Sequence, residues 1–220
     1  MYEKFGQFIE GKWSPSENKE TYEVINPATE EVLGHASKAT PADVDRALKS
    51  AQKGLKVWKK TTPWDRSYIL RKIADRMREK KDVLAKWMTL ENGKPLAEGI
   101  GETNGAADIF EWNAEETKRI FGQTIESRFE DTRVHVYYQP VGVVAALSPW
   151  NFPLILAARK ISTALAAGCS VIIKPDTITP GVVMELVDIC RECGVPPGAV
   201  NLLSGDPPTI ASQLIQSDII

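Results

Sequence analysis

The stretch VGVVAALSPWNFPLILAARKISTALAAGCSVIIKPD, Val141 to Asp176, decides the fold. Val141 to Leu147 is an almost unbroken apolar run, as expected of a strand buried on both faces. Two prolines then fix the backbone of Ser148-Pro149-Trp150-Asn151-Phe152-Pro153. Leu154 to Ala167 has helical spacing and stops at Gly168, and Ser170 to Ile173 is a second apolar strand. The rhythm continues with a helix over Gly181 to Cys193, a strand over Ala199 to Leu203 and a helix over Pro208 to Gln216. Asp218 to Ile220 opens a fourth strand. Apolar strands alternating with amphipathic helices predict an α/β fold, a Rossmann-like parallel sheet with flanking helices. Sheets of this kind bind ligands at the carboxyl ends of their strands, so the residues after Leu147, Ile173 and Leu203 are the candidates for function.

Upstream the texture differs. The first forty residues read as short strands and turns, with Tyr22 to Ile25 and Glu31 to Ala36 as the clearest strands. Thr40-Pro41-Ala42-Asp43 is a helix start, and Val44, Leu48, Ala51, Leu55 and Trp58 follow on one face. Thr62-Pro63-Trp64-Asp65 opens a second long pattern carrying Ile69, Ile73, Met77, Leu84, Trp87 and Met88. After the Gly93-Lys94-Pro95 break, a further helix is expected from about Ala97 to Ile120. Thr124 to Ile125 and Arg133 to Gln139 then form a strand pair around the charged turn Glu126 to Thr132. Such a ribbon has little core of its own and needs something to pack against.

Composition narrows the function classes. The 220 residues carry 27 basic and 29 acidic side chains, a formal charge of -2, which gives no global attraction to nucleic acid or acidic membranes. No apolar run approaches the roughly 20 residues that cross a bilayer. Three cysteines, Cys169, Cys190 and Cys193, and no secretory pattern in residues 1–11 predict a reducing, cytoplasmic setting. Cys190-x-x-Cys193 has redox spacing, but it falls late in a helix, away from the end that stabilises a thiolate. His35 and His135 stand alone, so no metal site is expected.

Three strand ends carry polar chemistry. Asn151 offers an uncharged amide donor that could steady an oxyanion; spacing alone favours a helix cap instead, since asparagine caps helices well and caps outnumber oxyanion holes. Lys174 leaves a buried strand where it can meet a ribose hydroxyl or a phosphate, or simply be a solvated lysine. Gly205 would let an adenine approach closely, or serve a turn. No Gly-x-Gly-x-x-Gly fingerprint is present.

Ser148-Pro149-Trp150-Asn151-Phe152-Pro153, Arg159-Lys160, Ala164-Leu165-Ala166-Ala167-Gly168-Cys169 and Lys174-Pro175 together closely resemble the aldehyde dehydrogenase superfamily. Ile25-Asn26-Pro27-Ala28-Thr29, Arg66 to Ala74 and Leu90-Glu91-Asn92-Gly93-Lys94-Pro95 extend the likeness over nearly the whole chain. The resemblance implies NAD- or NADP-dependent oxidation of a small aldehyde to a carboxylic acid through a thioester. Asn151 matches the oxyanion-stabilising asparagine, and Lys160 a lysine that supports the site. Leu147, Ser148, Pro149, Trp150, Asn151, Lys174, Asp176, Thr177 and Gly205 match the cofactor-binding positions. Arg159 matches an arginine that succinate semialdehyde dehydrogenases direct at the substrate carboxylate. Thr177 stands where NAD-preferring members often carry glutamate, which keeps NADP open as a cofactor. Thr163 replaces a proline common in the helix, a benign change.

By the same resemblance, residues 1–123 supply strands and helices of the cofactor domain and 124–140 the oligomerisation ribbon of a dimer or tetramer. Residues 141–220 begin the cofactor-binding sheet. The nucleophilic cysteine, the general-base glutamate and the pyrophosphate loop belong beyond the fourth strand. The sequence therefore reads as an N-terminal portion, without the catalytic domain and expected to be inactive alone. The alternative is a non-catalytic fragment that binds nucleotide or docks to a partner.

Overall fold

A computed structural model describes residues 2–220. Its strands are β1 (Gln7–Ile9), β2 (Lys12–Ser14), β3 (Thr21–Ile25), β4 (Val32–Ser37), β5 (Gln123–Glu126), β6 (Arg133–Val136), β7 (Val143–Leu147), β8 (Ser170–Lys174) and β9 (Val200–Leu202). The α-helices are α1 (Pro41–Trp58), α2 (Pro63–Glu79), α3 (Lys81–Asn92), α4 (Leu96–Glu116), α5 (Pro153–Ala166), α6 (Pro180–Glu192) and α7 (Pro207–Ile215). The main sheet runs β2-β1-β9-β8-β7, with β7, β8 and β9 parallel. Leu147 lies opposite Lys174 and Ile173 opposite Leu202, so the three carboxyl ends fall at one edge.

The sheet is mixed rather than wholly parallel. β1 joins β9 antiparallel, with Phe8 opposite Leu202, and β2 extends it as a hairpin. A three-residue strand shows too little periodicity to announce this pairing. What fixes it is long-range: buried Gln7 donates to Ser204 O at 3.0 Å and accepts from Ser204 N at 2.8 Å.

α1 and α7 cover one face, where Val44, Leu48 and Ala51 meet Ile172, Leu203 and Ile210. α5 and α6 cover the other, with α2, α3 and α4 outside them in the larger core. The start of α1 is the expected one: Thr40 Oγ1 accepts from Asp43 N at 3.2 Å, and Asp43 Oδ2 accepts from Thr40 N at 2.9 Å. Trp58 at its end is fully buried and donates Nε1 to Leu165 O at 2.9 Å. Gly54 lets α1 lie on the connection before β9, since a Cβ there would sit 2.0 Å from the Gly198 carbonyl carbon.

Several expected boundaries move. The pattern from Pro63 to Met88 breaks into α2 and α3 at Lys80, whose φ of -92° and ψ of 13° end the first helix. Arg78 to Val83 offers the core only Val83, itself 48% exposed, so no packing holds the helix straight there. Val141 lies outside the sheet, 91% exposed, and the strand begins at Val143. β6 stops at Val136 rather than Gln139, because its partner β5 starts at Gln123, opposite Val136. Asp218 to Ile220 is a turn, not a strand: Ile219 N donates to Ser217 Oγ at 3.2 Å and Ile220 N to Ser217 O at 3.2 Å. Three residues cannot build a ladder without a partner beside them.

Candidate functional site

The sheet edge gathers the strand ends. Ser148 N donates to Lys174 O at 3.0 Å, carrying the β7–β8 pairing one residue past Leu147. Beside it is a hollow of about 260 Å³ lined by Leu147, Ser148, Pro149, Lys174, Asp176 and the first turn of α7. Lys174 is only 5% exposed, and its ammonium has no hydrogen bond or ion pair among the described residues. Burial pulls it below the usual lysine range, against the opposing charges of Asp176 and Asp206. The Ser148 hydroxyl is also buried with no partner among the described residues. A buried hydroxyl left unsatisfied is costly unless a ligand completes it, and the Lys174 ammonium lines the same hollow without a partner among the described residues. Hydroxyl- or phosphate-bearing ligands would do so.

Asn151 does not cap α5. The N-cap position is Phe152, without a side-chain cap bond. The capping falls to Glu102 of α4, whose Oε1 accepts from Leu154 N at 2.9 Å and Ile155 N at 3.0 Å. Its Oε2 pairs with Lys94, and both side chains are buried. Lys94 Nζ also donates to Asn151 O at 3.3 Å and lies 4.6 Å from the centre of the Phe152 ring. Asn92 Nδ2 donates to Trp150 O at 3.0 Å. The Asn151 carboxamide, relieved of capping, is exposed and unpaired among the described residues at the ligand edge.

The next helix is treated alike. Glu91 of α3 accepts from Gly181 N at 2.7 Å and Val182 N at 3.3 Å at the start of α6, and Tyr2 donates its hydroxyl to the same carboxylate. Burial pushes Glu91 up to about 7, although these hydrogen bonds oppose the shift. Helix N-termini following parallel strands are ready anion sites. Here two of them are occupied by the chain's own carboxylates.

Other expected residues are less concentrated. Asp176 accepts from Ile178 N at 3.2 Å and Thr177 is half-buried beside it. Gly205 has φ +141°, and a Cβ there would lie 2.8 Å from Ala39 N, so the passing β4–α1 connection alone demands a glycine. Arg159 and Lys160 are not brought to the Lys174 hollow. They line a separate, mostly apolar one of about 510 Å³ with Val144, Ala145, Thr163 and Cys169. Lys160 Nζ donates to Leu156 O of its own helix at 3.3 Å. Cys190 and Cys193 are buried, and burial pushes both thiols up, which removes the redox reading. Among the described residues no cluster of His, Cys, Asp or Glu is arranged for a metal, and no helix is long and apolar enough to cross a membrane.

Sequence reasoning gave no role to Glu91, Asn92, Lys94 or Glu102. One signal was available, because Glu102 falls on the same buried face of α4 as Gly99, Thr103 and Ala106. A carboxylate on a buried stripe implies a buried partner.

Residues 13–220 match the aldehyde dehydrogenase family. A glutarate-semialdehyde dehydrogenase of Pseudomonas putida is 41% identical over 213 residues, covering 97% of this chain and 44% of the relative. An NADP(+) succinate-semialdehyde dehydrogenase of Escherichia coli is 40% identical, covering 96% and 44%. The crystal structure of an E. coli NADP-dependent enzyme superposes with a TM-score of 0.97 at 39% identity, over 100% of this chain and 46% of that one. The chain thus spans under half the length of these relatives.

Proposed function

We propose, from the fact that this chain belongs to the aldehyde dehydrogenase family, that its residues form the nucleotide- and oxyanion-binding part of an NAD(P)-dependent aldehyde oxidation site. The observation that carries the reading is the hollow at the sheet edge, where Lys174 has no partner and the buried Ser148 hydroxyl is unsatisfied among the described residues. Lys174 would bond the ribose hydroxyls or a 2′-phosphate, with Ser148, Pro149 and Trp150 beside the nicotinamide end. Thr177 presents no carboxylate to repel a 2′-phosphate, and one relative is named for NADP(+). A bound nucleotide would accept hydride. Asn151 would donate its amide to the oxygen that gains negative charge, a role needing no titration.

The substrate class follows from a second site. Glutarate and succinate semialdehyde, the substrates in the relatives' names, each carry a carboxylate remote from the aldehyde. Arg159 makes no ion pair among the described residues and suits such an anion, with Lys160 adjacent. The reading also holds that these 220 residues do not turn over alone, because none of their three buried cysteines stands at Asn151 to attack an aldehyde.

Calorimetry on the 220-residue chain tests this. NADP+ and NAD+ should both bind, and Lys174→Met should weaken binding roughly tenfold or more, the worth of one charge-assisted hydrogen bond. The same change should raise the thermal midpoint of the unliganded chain, because it removes an unpaired charge that burial of the side chain disfavours. No heat with either nucleotide overturns the nucleotide reading. NADPH formation from succinate semialdehyde would overturn the statement on turnover, and binding without turnover is also what a nucleotide-binding module would do.

The β5–β6 ribbon is read as a self-association surface. Ile125, Val134, Phe129, Tyr137 and Tyr138 in and beside it are between 43% and 75% exposed, a concentration of apolar surface that marks interaction sites. Sedimentation velocity should show a concentration-dependent dimer or larger assembly that Val134→Glu weakens. A strictly monomeric chain at high micromolar concentration would count against it.

A further inference from the structure

Resting on the reading of Asn151 just given and deepening it, we infer that Lys94 and Glu102 are positioning residues that fix the backbone from which the Asn151 carboxamide projects. Neither lines the hollow at Lys174. Among the described residues the loop they hold follows a strand, β7, paired only with β8, and Pro149, Trp150, Asn151 and Phe152 are all exposed. A loop with so little buried surface moves readily unless its backbone is tied. This one is tied on both sides of Asn151. Asn92 holds the Trp150 carbonyl, Lys94 holds the Asn151 carbonyl, and Glu102 holds the amides of Leu154 and Ile155.

The ammonium of Lys94 links these ties. It meets Glu102, the peptide oxygen of Asn151 and the face of Phe152 together. It therefore sets the plane of the peptide that follows Asn151, and with it the Cα–Cβ direction along which the Asn151 side chain leaves the loop. Stability alone does not account for an ion pair in this place, since apolar groups of similar volume often serve as well. Geometry does: an oxyanion donor must hold its position to about half an ångström to be useful.

The test is amide relaxation by NMR on the 15N-labelled 220-residue chain. The Asn151 NH2 pair is assigned by its loss in Asn151→Ala. In the wild type the order parameter of the Phe152 backbone amide, which shares a peptide plane with the Asn151 carbonyl, should be near that of rigid backbone, about 0.85. The double variant Lys94→Met/Glu102→Gln removes both charges but keeps a carbonyl oxygen for the α5 amides, so it should stay folded while the order parameter falls below about 0.6. Lys94→Arg should retain the order. Unchanged order in the folded double variant overturns the inference. So does a wild-type value already below about 0.6, a measurement that needs no variant to fold. Adding NADP+ and succinate semialdehyde separates the two readings. If the order depends on Lys94 but the Asn151 NH2 resonances do not move, the positioning role stands and the oxyanion role falls.

Discussion

Lys94→Met alone should lower the folding stability of the chain by about 3 kcal/mol or somewhat more, measured by urea denaturation. The lysine and glutamate side chains are 8% and 2% exposed, so removing the cation strands a carboxylate in the core. Breaking a buried pair in this way typically costs about 3–5 kcal/mol. The lower end is expected, because the amides of Leu154 and Ile155 still bond Glu102 and the α5 N-terminus still favours negative charge. Domains have only about 5–15 kcal/mol in total, so the variant should fold but unfold at distinctly lower denaturant. Adding Glu102→Gln should recover most of the loss, since an amide leaves no unpaired charge. A loss under about 1 kcal/mol for Lys94→Met would mean that water reaches Glu102 and that the pair is not a buried one.

The second large effect is a fall in stability as pH rises from about 5 to 7. Glu91 is pushed from its ordinary value of 4.5 up to about 7 by burial. Between those values the folded chain keeps a proton that the unfolded chain releases, so this group's contribution is fully present below its unfolded pKa and is lost as pH rises through about 7. At about 1.4 kcal/mol per unit, the full loss is roughly 3 kcal/mol. On the acid side the sign reverses. Asp43 and Asp188 are lifted by burial but lowered more by their hydrogen bonds, to Thr40 and Arg46 and to Arg191 and Trp13, so their contribution is lost as pH drops below the ordinary carboxylate range. Stability should therefore peak near pH 5. Denaturation midpoints across pH 4 to 8 measure this, and Glu91→Gln should flatten the slope between about 5 and 7. A wild-type stability that climbs across that interval would contradict a Glu91 whose burial outweighs its hydrogen bonds.

Both effects arise from one structural arrangement. Carboxylates from α3 and α4 stopper the helices that follow β7 and β8, and they hold the loop that carries Asn151. The edge at the carboxyl ends of β7 and β8 keeps the Lys174 ammonium and the buried Ser148 hydroxyl without partners among the described residues. A phosphate has no vacant amide cluster at the starts of α5 and α6, which agrees with the missing glycine-rich fingerprint.

Residues 141–217 were legible because their signals are local. Strand β8 is apolar from Val171 to Ile173, α5 begins at a proline, and Gly168 and Gly194 end helices with positive φ. The capping box at Thr40 could be read from four adjacent residues for the same reason. The Ser148–Pro153 block likewise placed Asn151 and Lys174 at one sheet edge, because parallel strands of equal length align their ends.

The sequence by itself thus determined the strand–helix alternation, the edge where the carboxyl ends of the parallel strands gather and the family. Tertiary structure alone decided that Gln7 closes the sheet across 197 residues, that Glu102 rather than Asn151 caps α5, and that Arg159 lies in a different hollow from Lys174. Hydrophobic periodicity records which face of an element is buried. It does not record which distant polar group a buried donor finds, and that choice is made only when the packed chain brings particular partners within reach of each buried charge.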